Sequence, residues 1–196
     1  MKEFLIVSGS IIVAVSLIPY LVLTIKGKIR PRISSWSTWA LITGIATIAA
    51  ISEGAYTSAL LTGISTINEI LIVIFAIRHG DKDYSRIDAI CQSTSVLGVV
   101  FWLVSGSVIW AIFFQMIADM FAAIPTFYHS WIAPHEEDWS PFLIFAFGAA
   151  VVASTIRELD FINLGFPIYL IVVSGSLGIL ILVRQRMVPS EEGLKN

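Results

Sequence analysis

Seven stretches of this chain, residues 4 to 25, 35 to 53, 56 to 78, 87 to 105, 107 to 128, 139 to 156 and 161 to 183, are apolar over the length needed to cross a bilayer. Lipid offers backbone amides and carbonyls no hydrogen-bond partner, so such a segment must be an α-helix or a strand of a closed barrel. Barrel strands alternate apolar and polar residues. These runs are continuous, which predicts helices. With 57% hydrophobic residues, 13% charged residues and a mean hydropathy of +0.86, a water-soluble fold is excluded. The expected fold class is an all-α membrane protein with the lipid bilayer as its solvent. A net charge of −2 leaves no basic surplus for nucleic acid, which is excluded as a partner. The first apolar stretch is followed by Lys26, Lys28 and Arg30 rather than by a small-residue cleavage site, so it reads as a retained span.

Marking the spans assigns every cation to a side. Lys26, Lys28, Arg30, Arg32, Arg78, Lys82, Arg86, Arg184, Arg186 and Lys195 fall on one side, and Lys2 and Arg157 on the other. The positive-inside rule then predicts an outside N-terminus and a cytoplasmic C-terminus. That orientation requires an odd number of spans, in agreement with seven.

The chain also repeats itself. "IPYLVLTIKGKIRPRISSWSTWALITG" at residues 18 to 44 has a looser counterpart in "IPTFYHSWIAPHEEDWSPFLIFAFG" at residues 124 to 148. Pro19 pairs with Pro125 and Arg78 with Arg184, both at an offset of 106, while the pairing of Trp36 with Trp139 absorbs a shorter second loop. The expected organisation is a first three-helix repeat over 1–80, a linker-helix region over 81–106, a second repeat over 107–186 and a cytoplasmic tail over 187–196. One linker span gives both repeats the same direction across the membrane. Proline removes a helical hydrogen bond, so Pro19 and Pro125 are predicted hinges at matched depth.

This arrangement of three helices, a linker and three more, with "IP", a polar loop and a Ser/Trp-led second helix in each repeat, resembles the PQ-loop and SWEET superfamily of small-solute transporters. "RPRISSWSTWALITG", "ADMFAAIPTF" and "FPIYL" resemble bacterial seven-helix membrane proteins in or beside that superfamily. The resemblance implies alternating-access transport of a small-molecule solute, sugar-like, amino-acid-like or vitamin-like, in a bacterial inner membrane. The superfamily's Pro-Gln dipeptide is here Pro19-Tyr20 and Pro125-Thr126, so the solute is left open. A receptor or scaffold of the same fold, or an ion channel, is the alternative, and a homo-oligomer is compatible with either.

Two acids sit in mid-span, Glu69 in "STINEILIVI" and Asp119 in "FFQMIADMFAA". An ionised group at that depth costs roughly 2.5–3.5 kcal/mol on insertion scales, so such groups normally face a bundle interior or a cavity. Both lie about thirteen residues from the outer end of their spans, roughly 20 Å at 1.5 Å per residue. Ser65 precedes Glu69 by one turn, Gln115 precedes Asp119 by one turn, and Asn68 adjoins Glu69. These five residues are the expected solute site, with Trp39, Asn163 and Tyr169 as further wall residues on the second and seventh spans. Neither acid has an acidic counterpart in the other repeat, since Asp119 aligns with Val13 and Glu69 with Gly175, so the site is asymmetric.

Trp36, Trp131 and Trp139 are expected in the interfacial aromatic belt. Arg32 or Lys28 is expected to latch the repeats by pairing with Glu136, Glu137 or Asp138. Cys91 reads as a small buried apolar residue. His79, His129 and His135 are spaced unlike metal ligands, and no Gly-rich phosphate loop occurs, so no enzyme activity, cofactor or metal is expected.

Overall fold

The computed structural model describes residues 2–52, 56–157 and 159–189. Lys195 and most of the expected tail lie outside the described residues. The fold is all-helical, and no strand occurs among the described residues. The elements are α1 (Lys2–Val15), α2 (Leu17–Ile25), α3 (Ile33–Ser52), α4 (Tyr56–His79), α5 (Arg86–Val104), α6 (Val108–Ile132), α7 (Ser140–Ala153) and α8 (Phe161–Met187). Among the described residues, Val7–Ile25, Thr62–His79, Arg86–Val104 and Asn163–Met187 are long and apolar enough to cross a membrane. Ile33–Ala49 and Ser140–Ala153 are shorter apolar helices.

The distribution of polarity fits a membrane protein. Large apolar side chains such as Phe4, Ile48, Ile67 and Val172 lie on the outside, whereas Thr24, Thr38, Glu69, Ser95 and Thr126 are buried. In water this pattern would be reversed.

Helix boundaries follow local chemistry. The first apolar run divides at Ser16, whose hydroxyl donates to the Val13 carbonyl at 2.8 Å. Pro19 lies one turn beyond that break, and its ring can offer no N–H to the Val15 carbonyl. Pro125, the other predicted hinge, lies inside α6, which runs through it without interruption. Pro167 likewise sits inside α8. At the end of α2, Gly27 adopts φ 64° and the Lys28 N–H reaches back to the Leu23 carbonyl at 3.0 Å, a glycine-terminated cap. Ser85 and Asp88 form a reciprocal capping box that starts α5.

Packing pairs α3 with α4, α5 with α6 and α7 with α8 most extensively. α2 also lies on α4, α6 on α8, α1 and α2 on α7, and α3 on both α6 and α5. Small residues allow the closest crossings. At Gly148 a Cβ would stand 2.9 Å from Val13 Cγ2 and 3.1 Å from the Gly9 carbonyl oxygen, so α1 and α7 meet nearly backbone to backbone. Cys91 is buried and free, as expected.

Candidate functional site

A cavity of about 570 Å³ lies between the helices, and every helical segment from α1 to α8 contributes to its wall. Helical periodicity decides which side chains face it. Trp36, Trp39, Thr43 and Ala46 come from one face of α3, Thr62, Ser65 and Glu69 from one face of α4, and Ile112, Gln115 and Asp119 from one face of α6. Trp102, Phe142, Phe145 and Phe166 supply aromatic surface from α5, α7 and α8. The wall is therefore mostly apolar, with a few convergent polar groups, the usual composition of a small-molecule site.

Each carboxyl is positioned by a hydroxyl on a neighbouring helix. Thr43 Oγ1 on α3 donates to Glu69 Oε2 at 2.6 Å, and Thr43 in turn accepts from Thr66 Oγ1 at 2.9 Å. Tyr169 Oη on α8 donates to Asp119 Oδ2 at 2.8 Å. Glu69 and Asp119 line the same cavity. Gln115 Oε1 is buried and has no hydrogen-bond partner among the described residues.

Of the expected site residues, Glu69, Asp119, Gln115, Ser65 and Trp39 line the cavity. Tyr169 stands behind the wall and holds Asp119. Asn68 and Asn163 are placed elsewhere. Asn68 donates to the Ala14 carbonyl at 3.3 Å, because adjacent helical residues point about 100° apart and Glu69 takes the inner face. Asn163 lies in the first turn of α8, where its amide donates to the Asp160 carboxylate at 2.9 Å. Thr43 was not among the expected residues. Its signal was the spacing of one turn from Trp39, masked because a helical threonine commonly turns its hydroxyl to its own backbone; here the Trp39 carbonyl stands 3.0 Å away as the alternative acceptor, and the shorter contact is to Glu69.

One end of the cavity is closed by a polar network beneath an aromatic layer. Tyr20 donates to Glu137 Oε2 at 2.5 Å, and the Trp36 indole donates to the Tyr20 hydroxyl at 3.2 Å. Trp36 is thus fully buried against Tyr20 and Phe142 rather than in an interfacial belt, because its N–H finds a partner inside the bundle. Trp131 and Trp139 are exposed, and Arg184 lies over the Trp131 ring at 4.3 Å.

The expected latch forms with different partners. Arg30, not Arg32 or Lys28, pairs with Glu136 at 2.6 Å. Arg32 is buried and bridges Asp81 and Asp88, meeting Asp88 through Nη2 at 2.5 Å and through Nε at 3.1 Å. Asp138 caps Ser140, accepting from its backbone N–H at 2.9 Å. His129 Nδ1 lies 3.1 Å from Asp81 and its Nε2 3.4 Å from Glu136. Burial raises the Glu137 carboxyl to about 8, against the lowering effect of the Tyr20 hydroxyl. Burial also acts to raise Asp81, but the Asp83 amide and the Arg32 guanidinium outweigh it and hold that carboxyl below its ordinary value.

Among the described residues no group of three His, Cys, Asp or Glu side chains is placed so that it could hold a metal ion. Comparison of the chain with family models, with curated proteins and with solved structures gives no match.

Proposed function

We propose that this protein is a transporter of a small polar metabolite, sugar-like, amino-acid-like or vitamin-like, working by alternating access in a bacterial inner membrane. In this reading the chain has seven spans arranged as two parallel three-helix units joined by a linker helix, as its resemblance to the PQ-loop and SWEET superfamily implies. The helix neighbours support it. α2 and α3 both lie on α4, α6 and α7 both lie on α8 in the same order, and α5 flanks α6 and α3 as a linker would. The units then meet along α1 and α2 against α7, and α3 against α6. The N-terminus is outside and the C-terminus cytoplasmic, on the distribution of lysine and arginine.

The observation that carries the reading is the cavity itself. It lies on the boundary between the two proposed units, contains Glu69, Asp119 and Gln115, and is closed at the end proposed to be cytoplasmic by Tyr20, Trp36, Phe142 and the Arg30 to Glu136 latch. Rocking of the units would break that latch and open the same cavity to the other side.

The test is two-sided access. In a Cys91→Ser background, single cysteines at positions 65 and 115 are labelled with a membrane-impermeant maleimide in right-side-out and inside-out vesicles. Alternating access predicts labelling from both faces. Labelling confined to one face would retire the mechanism, and ohmic current through reconstituted protein in place of saturable solute flux would favour a channel.

A further inference from the structure

We propose that the solute is an organic cation, a molecule carrying an ammonium or amidinium group on an apolar or aromatic body. The proposal rests on the transport reading for its setting and narrows the solute class of the same site.

The first ground is charge balance. Glu69 is only 7% exposed, and its carboxyl and that of Asp119 face one cavity. Among the described residues neither acid has a cationic side chain within ion-pair distance. The sequence explains why: residues 33–77, 87–128 and 158–183 contain no lysine, arginine or histidine. No cation from these spans, or from the same spans of a second copy, can reach the acids. Buried carboxylates need a paired charge. The complement must come from a ligand or from protons.

The second ground is hydrogen-bond polarity. Thr43 spends its hydroxyl hydrogen on Glu69, and Tyr169 spends its own on Asp119. Gln115 adds a buried acceptor oxygen without a partner. With those hydrogens engaged, the two carboxyls and the Gln115 oxygen face a ligand as acceptors, while Ser65 and Ser174 add hydroxyls that can serve either way, so the carboxylate end of the patch suits a ligand that donates. A carboxylate or phosphate would meet like charge there.

The third ground is the wall. Trp39, Trp102 and Phe166 line the cavity, and Trp39 packs edge-on against Trp36 at 5.1 Å. Aromatic faces attract cations and also shelter the apolar body that a cation would carry. A cavity of about 570 Å³ accommodates a molecule larger than an inorganic ion.

The experiment uses the full chain in nanodiscs and reads intrinsic tryptophan fluorescence, since three indoles line the cavity. Three matched series are titrated: phenylalkyl ammoniums with two to four methylenes, the corresponding phenylalkyl alcohols, and the corresponding phenylalkyl carboxylates. The ammoniums are expected to bind about 10-fold or more tightly than either matched series. Glu69→Gln and Asp119→Asn are each expected to weaken ammonium binding about 10-fold or more, with unfolding midpoints recorded alongside. The proposal is overturned if no ammonium binds, if alcohols or carboxylates bind as well, or if both variants bind ammoniums like the parent. The ranking of the three series in the parent protein decides the matter even if a variant fails to fold. Ammonium binding without flux into liposomes would retire transport and leave this site standing. Saturable flux of an uncharged sugar without ammonium binding would do the reverse.

Discussion

Glu137 provides the sharpest test of the closed end. Its side chain is 1% exposed, it accepts from Tyr20 at 2.5 Å, and its second oxygen has no hydrogen-bond partner among the described residues. Burial raises the carboxyl from an ordinary value of 4.5 to about 8. A group whose folded-state pKa lies above its unfolded value binds protons more tightly when folded, so stability is highest below about 4.5 and declines as pH rises toward 8. Each pKa unit corresponds to 1.36 kcal/mol, which sets an upper limit of about 5 kcal/mol lost across that interval. Glu137→Gln keeps an oxygen for Tyr20 and carries no charge. In detergent micelles, the unfolding midpoint of the parent should fall between pH 5 and pH 8, and that of the variant should stay flatter by the contribution of Glu137. Other titrating groups, His129 among them, are common to both proteins, so the difference between the two curves isolates Glu137. Parallel curves, or a parent that gains stability on the variant as pH rises, would refute the reasoning.

Two further outcomes follow from the packing. Arg32→Ala leaves Asp81 and Asp88 buried without their cation and should cost roughly 3–5 kcal/mol, read as a lowered unfolding midpoint; adding Asp81→Asn and Asp88→Asn should recover part of the loss, and no recovery would show that the charges are not its cause. Gly148→Leu drives a side chain into Val13, Ile12 and the Gly9 carbonyl and should cost about 1–3 kcal/mol by the same measurement, with Gly148→Ala milder.

The helices were legible because long uninterrupted apolar runs admit few other structures, and the breaks at Gly27 and Ser85 carry ordinary capping chemistry. Mid-span acids announced the inner face of α4 and α6, and one-turn spacing extended it to Ser65 and Gln115. Adjacency misled at Asn68, since a neighbour in sequence is not a neighbour on a helix face. Depth misled at Trp36, because distance from a span's end does not say whether a ring points outward or toward Tyr20. The latch could not be assigned by proximity of charge alone. Arg30 and Arg32 are two residues apart, and the choice between them depends on Asp81 and Asp88, about fifty residues further along the chain. Pairings at that range depend on how the helices pack, which local pattern does not encode.

Gly9 and Gly148 give α1 and α7 an unusual kind of joint. Val152 lies over Gly9 and Val13 over Gly148, so each helix sets a branched side chain into the notch left by the other's glycine and the crossing is held close at that point. The contact joins residues 2–15 to residues 140–153, so two missing side chains fix how near the first helix of the chain comes to one more than a hundred residues later.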